Sequence, residues 1–149
     1  MRILFLCTAN ICRSPAAEFY MRHLLDRLGI TTVSVESAGI MEMGGAPADP
    51  VVSRIIGEYG IDLSSHRSKL ATRTMVTAAD EIVVMARRHR EWIQRTFPEA
   101  LRKVSLIREP EASSDLLDPV GGSEADYRRA LEVLFKCVER RTLAFKYPV

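Results

Sequence analysis

Residues 7–15 read Cys-Thr-Ala-Asn-Ile-Cys-Arg-Ser-Pro and follow directly on the apolar run Ile3-Leu4-Phe5-Leu6. A short apolar run that ends in a tight polar loop, with Ser14 placed as a helix N-cap and Pro15 in the first turn, specifies strand, loop and helix in that order. An arginine six positions after Cys7 lets the loop curl round an oxyanion. Backbone N–H groups of Thr8, Ala9, Asn10, Ile11, Cys12 and Arg13 can then face inward, while the Arg13 guanidinium binds two oxygens in one plane. Donors of that kind beside a helix N-terminus favour the thiolate at Cys7, the form that acts as a nucleophile. The nonapeptide is therefore a candidate phosphate cradle, with Cys7 and Arg13 as candidate catalytic residues.

Further along, Ala17, Tyr20, Met21, Leu24, Leu25 and Leu28 recur at helical spacing up to Gly29, and Thr32–Glu36 alternates as a strand running into Ser37-Ala38-Gly39. Residues 40–49 carry Gly44, Gly45 and Pro47 and read as a surface loop, after which Asp49-Pro50 opens a helix reaching about Tyr59. Leu70–Ala78 reads as a short helix or turns, Glu81–Met85 as a buried strand, Arg87–Phe97 as a helix and Val104–Ile107 as a fourth strand. Arg108–Gly122 is irregular, and Ser123 with Asp126 caps a last amphipathic helix. Short apolar strands alternating with helices specify an α/β fold, a four-stranded parallel sheet with helices on both faces, flavodoxin-like or Rossmann-like. Ligands in such sheets bind beyond the carboxyl ends of the strands, where residues 7–13 would lie.

The 149 residues form one expected domain, 1–149, and its net charge of +2 points to no nucleic-acid partner. The N-terminal apolar run is too short for a signal-peptide core and no segment approaches a membrane span, so no membrane association is expected. Three cysteines, two of them inside the proposed cradle, argue against a secreted disulfide framework and for a reducing cytoplasm. No Cys/His cluster has zinc spacing, and neither metal nor cofactor is expected, because Arg13 and the loop amides already neutralise a phosphate. A monomer or weak dimer is expected.

Other residues allow two readings. Asp118-Pro119 fits either a turn opener or a mobile carboxylic acid able to cover the cradle. Cys12 is either a small buried hydrophobe or, in a loop that must curl, a redox partner within disulfide reach of Cys7. Asn10 tolerates a left-handed backbone and can lock the loop through its amide. His23 and His89 sit in charged helical stretches and read as solvated, and Arg87-Arg88-His89-Arg90 as an exposed helix face.

Cys7, Asn10, Cys12, Arg13 and Ser14, at the start of the chain, match the signature Cys-x-Gly-Asn-x-Cys-Arg-Ser. The chain therefore resembles the low-molecular-weight protein tyrosine phosphatases, departing at Ala9, where the family usually has glycine. The resemblance implies hydrolysis of a phosphorylated protein through a phosphocysteine on Cys7, with Asp118 as general acid. It further implies that Ser37 and His66 buttress the loop, and Ser14 can donate its hydroxyl to the thiolate. Val120 follows Asp-Pro where an aromatic is common in the tyrosine-specific members, so Met41 and Met43 are expected to complete a softer apolar wall with it. Leu117-Asp118-Pro119-Val120-Gly121-Gly122-Ser123 is similar to the arginine phosphatase branch, whereas Ile11 is common in tyrosine phosphatases. Phosphotyrosine is the expected substrate and phosphoarginine the alternative. Arsenate reduction, which needs resolving cysteines absent from residues 78–95, and an idle phosphoprotein-binding domain follow behind.

Overall fold

The first strand explains the architecture, because both of its faces are apolar. In a computed structural model, which describes residues 1–147, β1 (Arg2–Cys7) is buried from Ile3 to Cys7. Ile3, Phe5 and Cys7 face one hydrophobic cluster while Leu4 and Leu6 face the other, as the period of two in a strand requires. A strand buried on both sides belongs in the middle of a covered parallel sheet. The order is β2-β1-β3-β4, all parallel, with β2 at Ser34–Gly39, β3 at Glu81–Val84 and β4 at Val104–Leu106.

One face of this single α/β domain packs against α1 (Arg13–Arg27), α2 (Pro50–Gly57) and α5 (Glu124–Lys146) through Met21, Leu25, Val52, Ile56, Leu131 and Leu134. The other is covered by α3 (Arg73–Ala78) and α4 (Arg87–Thr96) through Val76, Ile93 and Phe97. No helix among the described residues is long and apolar enough to cross a membrane. Asp49 caps α2 by accepting from the N–H groups of Val51 and Val52, and Ser123 and Asp126 cap α5 reciprocally.

Three local expectations need correction. The second strand begins two residues later than the alternation suggested and takes in Ser37-Ala38-Gly39, because its register against β1 runs to the pair Cys7 and Gly39. A 3₁₀ turn at Pro98–Lys103, absent from the sequence reading, links α4 to β4. Ser14 is not the cap of α1: Cys12 holds that position without a side-chain hydrogen bond, and Ser14 is already helical. Its hydroxyl is thereby free for the site at the end of β1.

Candidate active site

Residues 8–12 leave the carboxyl end of the central strand and turn into α1, so the helix N-terminus and the strand end converge on one loop. The turn is made at Asn10, the one non-glycine residue with positive φ (56°) among the described residues. Ala9 therefore needs no glycine-like backbone, which explains why alanine is accepted there. Asn10 is fully buried and held on every side. Its Nδ2 donates to Ser14 Oγ at 2.8 Å and Ser37 Oγ at 2.9 Å, its Oδ1 accepts from the Lys69 N–H at 3.1 Å, and its carbonyl accepts from His66 Nε2 at 2.8 Å. The expected buttresses Ser37 and His66 are thus both in contact with the loop through one residue. Gly39 lies so close beneath it that a Cβ would stand 2.8 Å from the Thr8 carbonyl oxygen, a contact that residue spacing alone does not reveal.

Among the described residues, the N–H groups of Thr8 to Cys12 donate to no protein acceptor, leaving a row of donors for an anion. Cys7 Sγ lies 2.9 Å from Ser14 Oγ. Arg13, 2% exposed, donates from Nη1 to the Leu116 carbonyl at 2.8 Å and brings Nη2 within 3.6 Å of Asp118 Oδ2. Cys7, Thr8, Ala9, Ile11, Cys12 and Arg13 line a cleft of about 270 Å³ together with Met41, Met43, Asp118 and Val120. Asp118 itself is held by its Oδ1 accepting from the Val120 N–H at 3.1 Å. The neighbouring carboxylates are committed elsewhere, Asp115 to the Arg87 backbone and side chain and Asp126 to the cap of α5. Burial raises the Cys12 thiol far above its ordinary range, helped by Cys7, Asp49 and Asp118 and opposed by Arg13, so that it stays protonated.

His89 corrects the sequence reading. It is fully buried, not solvated, because α4 turns it inward on the same face as Ile93. Nδ1 accepts from the Ala86 N–H at 3.1 Å, so the proton sits on Nε2, which donates to Thr8 Oγ1 at 3.0 Å. Arg88 donates to the same hydroxyl at 2.8 Å, so only part of the basic run is plain solvated face. Burial, then Arg13 and Arg88, push His89 down to about 3 and keep it neutral. The unfolded chain takes up this proton near pH 6.5 and the folded chain only near 3, so the contribution to stability is complete above 6.5 and falls as the pH is lowered between the two values. Urea unfolding at pH 7 and 4.5 is expected to show His89→Gln losing less stability over that interval than the native chain. The difference should approach about 1.4 kcal/mol per pH unit; equal losses would show that His89 does not titrate as its burial demands.

The family model for low molecular weight phosphotyrosine protein phosphatase matches residues 2–144. The chain belongs to this family. Among its relatives, the "Probable low molecular weight protein-tyrosine-phosphatase EpsP" of Ralstonia nicotianae is 36% identical over 137 residues, covering 92% of this chain and 90% of the relative. A protein-arginine-phosphatase of Geobacillus stearothermophilus is 33% identical over 141 residues, with 93% and 92% covered. In three dimensions the chain resembles a YwlE arginine phosphatase mutant with a phosphorylated active-site serine, at a TM-score of 0.93, 30% identity and coverage of 99% and 97%. The phosphatase family thus accounts for nearly the whole length, and its fold is the one described above.

Proposed function

We propose that this phosphatase hydrolyses phosphotyrosine in proteins through a phosphocysteine on Cys7. The observation that carries the reading is the single cleft in which Cys7, Arg13 and Asp118 converge between the apolar side chains of Ile11, Met41, Met43 and Val120. The loop amides and Arg13 bind the phosphate oxygens. Cys7 sulfur attacks phosphorus, the P–O ester bond breaks, and Asp118 delivers its proton to the departing phenol oxygen. Water then attacks the phosphocysteine as Asp118 takes its proton, releasing inorganic phosphate and the Cys7 thiolate. Ser14, Ser37 and His66 hold the loop in shape, and an uncharged aryl ring suits the apolar walls better than a charged phosphoguanidinium. Cys12 is assigned as the thiol that forms a disulfide with Cys7 under peroxide; peptide mapping of the oxidised protein that finds only overoxidised Cys7 would remove that role. The reducing cytoplasm is the proposed compartment, in keeping with the free thiols of Cys7, Cys12 and Cys137.

Identity to the protein-arginine-phosphatase of G. stearothermophilus favours phosphoarginine as the second reading. The two are separated by kcat/KM on phosphotyrosine and phosphoarginine peptides of one sequence. Faster turnover of phosphotyrosine is expected. The reverse order transfers the assignment to phosphoarginine, and no turnover of either leaves a binding domain.

A further inference from the structure

The run Arg87-Arg88-His89-Arg90 opens α4, and the fold engages every member but one with a carboxylate or with the interior. Arg87 pairs with Asp115 and Arg90 with Glu109, each at 3.3 Å, while His89 is buried. Arg88 is exposed and, among the described residues, forms no salt bridge. Helix stability does not explain an arginine at this point. The first turn of α4 holds no acidic residue, and the positive end of the helix dipole opposes a cation there. What Arg88 does touch is the loop: its Nη2 donates to Thr8 Oγ1 at 2.8 Å, and His89 Nε2 donates to the same oxygen at 3.0 Å. A hydroxyl oxygen has two acceptor sites, and these two donors fill both. The guanidinium is thereby held at the lip of the cleft that Thr8 lines with Cys7 and Arg13, with the other N–H groups of its planar fork left over for an anion.

We propose that Arg88 determines substrate specificity by pairing with a carboxylate that the protein substrate carries beside its phosphorylated residue. This rests on the reading of the cleft as a phosphoprotein site and extends it to the sequence around the phosphate. The phosphate itself is taken by the amides of residues 8–12 and by Arg13, which is 2% exposed and lies inside the cleft. Arg88 stands one side chain further out, in solvent, where the residues flanking a phosphorylated side chain must pass. Successive residues of an extended peptide advance by about 3.3–3.6 Å, so a neighbouring Asp or Glu can reach the rim while the phosphate occupies the floor. A neighbouring lysine would meet a like charge instead. An ion pair in solvent is screened and changes rates by a few-fold, so the residue selects among substrates without adding to the chemistry.

The test is kcat/KM of the full chain on one phosphotyrosine peptide made with Glu, Gln or Lys at the positions flanking the phosphorylated residue. Rates are compared as ratios within each variant, so that any effect of losing the contact to Thr8 cancels. The native protein is expected to favour the Glu peptide over the Gln peptide by about two- to fivefold at low ionic strength, the range of an exposed ion pair. The preference should vanish in about 1 M salt, where charges are screened within roughly 3 Å. R88M should bring the ratio to about one, and R88E, which suits the first turn of a helix better than arginine does, should invert it in favour of Lys. R90M removes a cation of the same run that is already paired with Glu109, and should keep the native ratio. Equal native rates on the Glu and Gln peptides, a preference for Glu that survives R88E, or one that R90M lowers as far as R88M does, overturns the proposal. Should only phosphoarginine peptides be turned over, the phosphotyrosine assignment falls, and the same ratios measured on those peptides decide the role of Arg88. A chain that turns over neither loses both readings.

Discussion

Cys7→Ser is expected to lower turnover of any phosphate monoester by more than about 10,000-fold, the scale on which enzymes lose rate with their nucleophile. The replacement is nearly isosteric, and the features that hold the loop do not involve the sulfur: Asn10 with its positive φ, its bonds to Ser37 and His66, and Gly39 packed beneath Thr8. Inorganic phosphate should therefore bind the variant within a few-fold of the native constant, since the donors of residues 8–12 and Arg13 remain. The discriminating measurement pairs kcat on phosphotyrosine with phosphate affinity by calorimetry. Substantial turnover in the serine variant would remove the covalent route, whereas joint loss of turnover and binding would mean that the sulfur shapes the cradle.

Asp118→Asn should have the second largest effect, and its size should depend on the leaving group. Without a proton to give, the variant must expel tyrosine as phenolate, and kcat should fall by roughly a hundred- to ten-thousandfold, the range of general acid catalysis. Aryl phosphates whose phenols are already acidic need the proton less, so a series of decreasing leaving-group pKa should show the deficit shrinking. A constant deficit along the series would reduce Asp118 to a shaper of its loop. Neither neighbouring carboxylate could then simply take over, because Asp115 is bound to Arg87 and Asp126 to the Ser123 N–H.

What the chain discloses in linear order follows from how local each interaction is. The cradle was readable because its nucleophile, arginine and turn residue lie within seven consecutive positions, and the sheet because β1 and β3 are apolar runs bounded by breakers. His89 was misread because a histidine among arginines looks solvated; its spacing of four from Ile93 and eight from Phe97, both buried on the same helical face, was the available signal. Glu18, 5% exposed and accepting from Ser37 Oγ at 2.6 Å, is hidden for a similar reason: it stands midway between Ser14 and Arg22 at intervals of four, where charge suggests solvent. The approach of Gly39 to Thr8 and the grip of Arg13 on Leu116 join segments that are 31 and 103 residues apart, and no local pattern encodes them.

That last grip carries a consequence for the timing of a catalytic cycle. The guanidinium that would face the phosphate also holds the Leu116 carbonyl, two residues before the aspartate poised over the cleft. Any outward movement of that segment would strain a bond made by the very group proposed to retain the anion. Under the proposed mechanism the latch and the clamp would then be one side chain, so that a movement of residues 116–118 would be felt by the group assigned to the anion.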